Sequence, residues 1–187
     1  MRHPLLFLGV ALLGAALDLL TKHWVFHYFE QGPGAHRYPR EVVLIDGLFS
    51  YGCTRNPGVI FGVGPNAQKI WLAISVLAIP AILAIFYSIK KPKWILTISL
   101  GMILGGTIGN MYDRVFTKEH AVRDFLKFYY RGADGFEKVW PLFNLADSLI
   151  CVGVFLLTVE MLFFDEKKKR APSPTPPAVP EPAVEGK

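Results

Sequence analysis

The sequence predicts an integral membrane protein, mainly α: a bundle of four transmembrane helices with a small extracytoplasmic β platform. Three observations predict it. Hydrophobic residues make up 52% of the 187-residue chain, and they are gathered into four long runs. Trp24, Trp71, Trp94 and Trp140 all fall at or near the ends of those runs, where an interfacial aromatic belt belongs. Two of the segments between runs are too long to be tight turns and carry strand and turn signals.

A bilayer core of about 30 Å takes roughly 20 apolar residues as helix. The first span covers about 4–29 and is interrupted by Asp18 and Lys22. Arg2, the apolar stretch and Gly14-Ala15-Ala16 offer a rival reading as a cleavable signal peptide. The helical pattern, however, runs on past Ala16 through Trp24 to Phe29. Segment 30–69 holds Glu41–Ile45, a turn at Asp46-Gly47, then Leu48–Cys53, a second turn at Asn56-Pro57-Gly58, and Val59–Val63. This is the β platform. The second span, 70–89, is clean and bounded by Lys69 and Lys90. The third, 94–112, carries Gly101, Gly105 and Gly109 at four-residue spacing, with Gly106 beside them. Small residues on one face let a neighbouring helix approach closely. In segment 113–142, Val122, Phe125, Leu126, Phe128 and Tyr129 form a short amphipathic stretch suited to lie on the membrane or cover a site. The fourth span covers 143–164. One membrane domain therefore occupies 1–170, and the proline-rich tail 171–187 is expected to be disordered.

The net charge of +5 sits mostly in two clusters, Lys90-Lys91-Lys93 and Lys167–Arg170. Basic clusters beside hydrophobic runs suit the cytoplasmic face of a membrane, and no nucleic-acid-binding motif accompanies them. Both termini are then cytoplasmic, and segments 30–69 and 113–142 lie outside. Segment 113–141 votes less clearly, with six Lys or Arg against five acidic residues. Cys53 and Cys151 have neither metal spacing nor a disulfide framework and read as free thiols.

Alternation of four spans puts the unusual polar residues on one side. Asp18 and Lys22 lie late in span one, Arg55 and Asn56 in the first long segment, and Asn110, Asp113 and Arg114 at the end of span three. Arg123 and Asp124 follow in the second segment, and Asn144, Asp147 and Ser148 open span four. Ionisable residues within spans are costly and are functional candidates by default. Interhelical polar glue is the plainer reading of the same residues. Two carboxylates in a partly dry site can divide peptide hydrolysis, one ionised and taking a proton from water, the other protonated and polarising the carbonyl. Asp18 has Lys22 one turn away and Asp113 adjoins Arg114, so both read as neutralised structural carboxylates. Asp124, in a flexible-looking loop, and Asp147 remain as the weakly preferred pair.

Other chemistries fit less well. His23 and His27 have a zinc-compatible spacing but lack the HExxH glutamate, and no metal is expected. A Ser148–Lys22 pair needs a lysine of depressed pKa, and Asp18 pushes the other way. A proton-coupled transporter is a further alternative, but it should carry polar residues on both sides of the midplane. Here Glu160 stands nearly alone on the inner side, close enough to the end to reach headgroups.

The blocks Asp18-Leu-Leu-Thr-Lys22, Asn56-Pro-Gly58-Val-Ile-Phe61, Gly105-Gly-Thr-Ile-Gly-Asn110-Met-Tyr-Asp113-Arg114, Val122-Arg-Asp124-Phe125 and Phe143-Asn144-Leu-Ala146-Asp147-Ser148 stand in this order. Together they resemble the signature blocks of the lipoprotein signal peptidases, type II, aspartic peptidases of family A8. The resemblance spans Asp18 to Ser148. It implies a monomeric multi-pass enzyme of the bacterial inner membrane, without cofactor, in contact with membrane phospholipid. Such an enzyme cleaves diacylglyceryl-modified prolipoproteins before the lipidated cysteine and is sensitive to globomycin. It also implies Asp124 and Asp147 as the catalytic pair, with Asp18, Lys22, Asn56, Gly58, Asn110, Asp113, Arg114, Asn144 and Ala146 shaping or supporting the site. A loop helix covering the site is implied as well. The sequence departs from the family pattern at Val59 and Ile60, where small residues are common, and at Arg123, where an apolar residue is usual. Arg123 is expected to lower the pKa of Asp124 or to meet a lipid phosphate. Asp124 and Asp147 also stand further apart in sequence than is usual.

Overall fold

A computed structural model describes residues 3–36, 40–58, 67–89, 93–133 and 135–164. Four of its helices are long and apolar enough to cross a membrane. They are α1 (Pro4–Glu30), α2 (Ala67–Ser88), α3 (Trp94–Phe116) and α4 (Leu145–Phe164). Strands β1 (Glu41–Ile45) and β2 (Phe49–Asn56) follow α1, and β3 (Val122–Arg131) and β4 (Glu137–Val139) follow α3. The strands form one antiparallel sheet in sequence order, joined to the bundle through β2 and β3.

α3 is the centre of the bundle and packs against α1, α2 and α4. Its glycines explain how. A Cβ on Gly105 would stand 2.7 Å from the carbonyl oxygen of Ala11 in α1, and one on Gly101 3.0 Å from that of Phe7. On the other side, Gly106 and Gly153 let α3 and α4 approach backbone to backbone. Such close approach gains dispersion contacts that lipid chains would otherwise supply. Towards one end of the bundle, Phe7, Ala11, Ile82, Phe86, Leu96, Leu100 and Leu104 form an apolar core, with the Phe7 and Phe86 rings stacked at 4.2 Å. At that end Glu160 pairs with Lys93 at 2.5 Å, so it joins α4 to the start of α3 rather than reaching headgroups. α1 is one uninterrupted helix whose Phe7 and Ala11 join this core.

At the other end, Val25, Phe26 and Phe29 of α1 pack against Phe125 of β3 and seat the sheet on the bundle. The stretch 122–131 is a strand, not the amphipathic or covering helix expected there. The loop helix is implied by the family resemblance, and Phe125, Phe128 and Tyr129 also stand at i, i+3, i+4. The open edge of β2, and a segment of Val, Phe and Tyr residues that favour strands, decide otherwise. The same correction moves Asp124 from a flexible loop onto a paired strand, opposite Thr54. Phe143, just before α4, accepts the N–H groups of both Phe125 and Leu126 at 3.0 and 2.8 Å. This fixes β3 relative to the start of α4. The expected strand Val59–Val63, the Val59 and Ile60 departures, Lys90 and Lys91, the cluster 167–170 and the tail 171–187 lie outside the described residues.

Candidate active site

The site grows from a helix start. Asn144 is the N-cap of α4, and its side-chain oxygen accepts the Asp147 N–H at 3.0 Å. Asp147 Oδ2 accepts the Asn144 N–H at 3.2 Å in return. This reciprocal pair is a capping box, in which cap and third residue satisfy each other's backbone donors. The intervening Ala146 N–H, another donor the helix cannot satisfy itself, goes to Asp18 Oδ1 of α1 at 2.9 Å. The motif Asn144-Leu-Ala146-Asp147 therefore has a backbone meaning before any chemical one. Ala146 is fully buried, with Gly106 directly against its carbonyl, so a larger residue has no room.

Capping aims the Asn144 amide outward. Its Nδ2 donates to Asp124 Oδ1 at 2.7 Å and to Asn110 Oδ1 at 3.1 Å. Asn110 Nδ2 in turn donates to Asp147 Oδ1 at 2.7 Å. Two asparagine amides thus connect the carboxylate of strand β3 with that of helix α4. The second oxygen of Asp124 accepts from Asn56 Nδ2 at 3.0 Å. The orientation of Asn56 is set by its own oxygen, which accepts the Gly58 N–H at 2.8 Å. Gly58 sits at φ +88°, where a side chain is strained, and a Cβ there would strike the Trp71 ring. Trp71 also donates its indole N–H to the Gly58 carbonyl at 2.9 Å, tying this turn to α2.

Beneath the asparagines lies a buried ionic cluster. Lys22 Nζ meets Asp18 at 2.7 Å, Asp113 at 3.1 Å and Asn110 Oδ1 at 3.0 Å, and Lys22, Asp18 and Asp113 are all fully buried. Gly109 leaves the space that the Asp18 carboxylate fills. Asp113 is not paired with its neighbour Arg114, as the sequence suggested, because successive helix positions point about 100° apart. Its partner is Arg123, whose Nε and Nη2 grip Asp113 Oδ1 at 2.9 and 2.7 Å while the Arg123 backbone N–H meets Oδ2 at 3.0 Å. Arg114 instead reaches the Asn110 carbonyl at 3.2 Å and Ser75 of α2 at 3.4 Å. Among the described residues, no buried side-chain nitrogen or oxygen lacks a partner.

All eleven residues singled out from the sequence fall in this one network or its turn. Trp71, Ser75 and the Arg123 contacts with Asp113 were not foreseen. A tryptophan at a span end reads as a belt residue, and nothing in its spacing marks it as the support of Gly58. Burial pushes the Asp124 carboxyl up to about 7, and the nearby Asp147 adds to it, while the Asn56 and Asn144 amides and Lys22 pull the other way. Asp124 is only 2% exposed, and Asp147 is half-buried at the mouth of the site. A buried acid that holds a proton near neutrality, beside a second carboxylate anchored by N–H donors, can run general acid–base chemistry on one water.

The sequence profile of the family described as signal peptidase (SPase) II matches residues 10–163. A lipoprotein signal peptidase from Rhodopirellula baltica is 37% identical over 168 residues, covering 83% of this chain and 70% of that protein. Two solved structures share the fold, each described as a bacterial membrane enzyme determined by the in meso method, at 1.9 and 2.3 Å resolution. The first has a TM-score of 0.67 at 22% identity, over 84% of this chain and 93% of that one. The second has a TM-score of 0.67 at 21% identity, over 91% of this chain and 94% of that one. With the profile spanning most of the chain and a third of the residues shared with a curated relative, the chain belongs to the signal peptidase II family, membrane aspartic peptidases that remove signal peptides from prolipoproteins.

Proposed function

We propose that Asp124 and Asp147 are the catalytic pair of this peptidase, acting on one water at the extracytoplasmic face of a bacterial inner membrane. The observation that carries this is the amide relay, Asp124–Asn144–Asn110–Asp147, which holds two carboxylates from different elements in one hydrogen-bonded chain. Asp124 holds the proton at neutral pH and polarises the scissile carbonyl. Each of its oxygens accepts one amide and keeps a second lone-pair direction for a proton or substrate. Asp147, at the more open position, takes the proton of the attacking water. Asn56, Asn110, Asn144 and Gly58 fix the orientation of the two carboxylates. Asp18, Lys22, Asp113 and Arg114 supply the charged base beneath them, and Ala146 sets the spacing of α4 against α3.

The substrate is a prolipoprotein whose cysteine carries a diacylglyceryl group, cut just before that cysteine. Its acyl chains lie in the bilayer against apolar helix faces such as Leu77 of α2 and Phe155 of α4, both more than 60% exposed. Burial of such chains contributes about 0.8 kcal/mol per CH₂, so lipid supplies much of the binding. The basic clusters of the sequence support a reading with both termini on the cytoplasmic side. The enzyme acts as a monomer in this reading. Globomycin blocks the reaction in this reading. The test is cleavage of a diacylated prolipoprotein in EDTA by purified wild type, Asp124→Asn and Asp147→Asn. Cleavage lost in both folded variants supports the pair. Full cleavage by either variant overturns it.

A further inference from the structure

The cluster beneath the catalytic pair is closed by Arg123, which is not among the eleven residues assigned to the site. Lys22 and Arg123 together balance Asp18 and Asp113, and Arg123 reaches Asp113 with three hydrogen bonds, two from its guanidinium and one from its backbone. The backbone bond matters separately, because the next residue along β3 is Asp124. Lys22 divides its ammonium between Asp18, Asp113 and Asn110 Oδ1. That last contact orients the Asn110 amide, whose Nδ2 is then turned to Asp147. If Arg123 did not occupy Asp113, the unshared carboxylate would draw Lys22 from Asn110, and the amide would lose its fixed direction.

We infer that Arg123 is a positioning residue of the reaction, which through Asp113 and Lys22 keeps the Asn110 amide on Asp147 and the β3 backbone in place under Asp124. This rests on the reading of Asp124 and Asp147 as the catalytic pair. Arg123 itself faces away from that pair, into a polar cavity of about 430 Å³ lined also by His23, His27, Glu30, Arg55 and Glu119. There Arg55 pairs with Glu30 and Glu119, leaving Asp113 as the carboxylate that Arg123 grips. Among the described residues, the charged groups facing the pair are Asp18 and Lys22 from α1 and Asp113 and Arg114 from α3, while β2 contributes the neutral Asn56. With Arg123 behind Asp113 and one proton on the pair, three cations stand against three anions. Loss of Arg123 leaves one excess negative charge beneath the site, which favours the protonated form of Asp124. Lysine restores the charge but not the planar two-point grip.

The experiment is the pH profile of kcat and KM for prolipoprotein cleavage by wild type, Arg123→Met, Arg123→Lys and Arg123→Met/Asp113→Asn, with folded fraction measured by thermal unfolding. Arg123→Met is expected to lose kcat by about tenfold with KM within about twofold, and to move the alkaline limb upward by roughly half to one pH unit. Arg123→Lys keeps the limbs in place and recovers only part of kcat. The double variant, in which Lys22 balances Asp18 alone, returns the alkaline limb to its wild-type position. A loss of activity that follows folded fraction, with unmoved limbs, overturns the inference and leaves a merely structural arginine. If Arg123→Met does not fold, Arg123→Lys decides: wild-type kcat overturns the inference. Unmoved limbs with dead Asp124→Asn and Asp147→Asn variants sink only the role of Arg123, whereas an active Asn variant sinks the pair itself.

Discussion

Replacing Asp124 by asparagine should abolish cleavage and yet stabilise the protein above neutral pH. The Asp124 carboxyl goes from 3.8 in the open chain to about 7 in the fold. A raised carboxyl pKa contributes stability that is fully present below the unfolded value and is lost as pH climbs through the folded one. At about 1.36 kcal/mol per unit, an ionised Asp124 above pH 7 costs about 4 kcal/mol relative to low pH. Asparagine carries no charge and avoids that cost. It has one acceptor oxygen, however, where Asn56 and Asn144 both donate. Leaving one buried donor unsatisfied costs about 1–3 kcal/mol. The two effects cross between roughly pH 4.5 and 6. Asp124→Asn should therefore unfold more easily than wild type at pH 4, by about 0.5–2.5 kcal/mol, and less easily at pH 8, by about 1–3 kcal/mol. Thermal unfolding in detergent from pH 4 to 8.5 measures this, at roughly 2–4 °C per kcal/mol for a chain of this size. A stability difference that does not change with pH would refute the reasoning, because the gain then cannot come from the Asp124 charge.

Three further outcomes are expected. The kcat/KM for prolipoprotein cleavage should fall about tenfold per pH unit above pH 7, as Asp124 gives up its proton; a flat rate from pH 6 to 9 counts against Asp124 as the acid. Gly58→Ala meets both the positive φ and the Trp71 ring. Its destabilisation of roughly 1–3 kcal/mol should come with a lower kcat, since the turn orients Asn56; full activity at unchanged Tm contradicts that geometry. Lys22→Met leaves Asp18 and Asp113 buried with one cation between them and should cost about 3–5 kcal/mol, read as loss of folded protein after extraction, whereas a folded and active variant would show the cluster to be dispensable.

The helices were legible because a bilayer imposes a length and a composition that any chain must meet. α1, α2 and α4 start and stop within a few residues of their expected bounds, but α3 continues to Phe116. Its last turn carries Asp113 and Arg114, and a hydropathy reading stops at such residues although the helix does not. The glycine face of α3 was also legible, since four-residue spacing has one geometric meaning. Segment 122–131 was not. Its apolar residues satisfy a helical spacing about as well as a strand, and only the unpaired edge of β2, distant in sequence, decides between them. The same holds for Asp113. A one-dimensional reading offers Arg114, while the fold brings Arg123 across from another element. Parity and the setting aside of Asp18 and Asp113 preferred Asp124 and Asp147 only weakly, and the family resemblance named them as a pair. The two asparagines that connect them, Asn110 at the end of α3 and Asn144 at the start of α4, lie far apart in sequence, and no local pattern states that they meet.

The two carboxylates separate most clearly where fold and chemistry overlap. Asp147 is the third residue of α4, and its Oδ2 closes the capping box on the Asn144 N–H while Oδ1 accepts from Asn110. Asparagine at 147 retains one acceptor and loses the other, a cost of about 1 kcal/mol to the helix start. The damage propagates, because Asn144 holds the Asp124 and Asn110 contacts only while it remains the cap. Asp147→Asn should therefore be inactive and less stable than wild type at pH 8. Asp124→Asn should be inactive and more stable at the same pH. The same unfolding series reads both variants side by side. Equal stability effects of one sign would mean that the two aspartates occupy equivalent environments. The division between a buried acid and a cap-bound base would then have to be abandoned, even if both variants were dead.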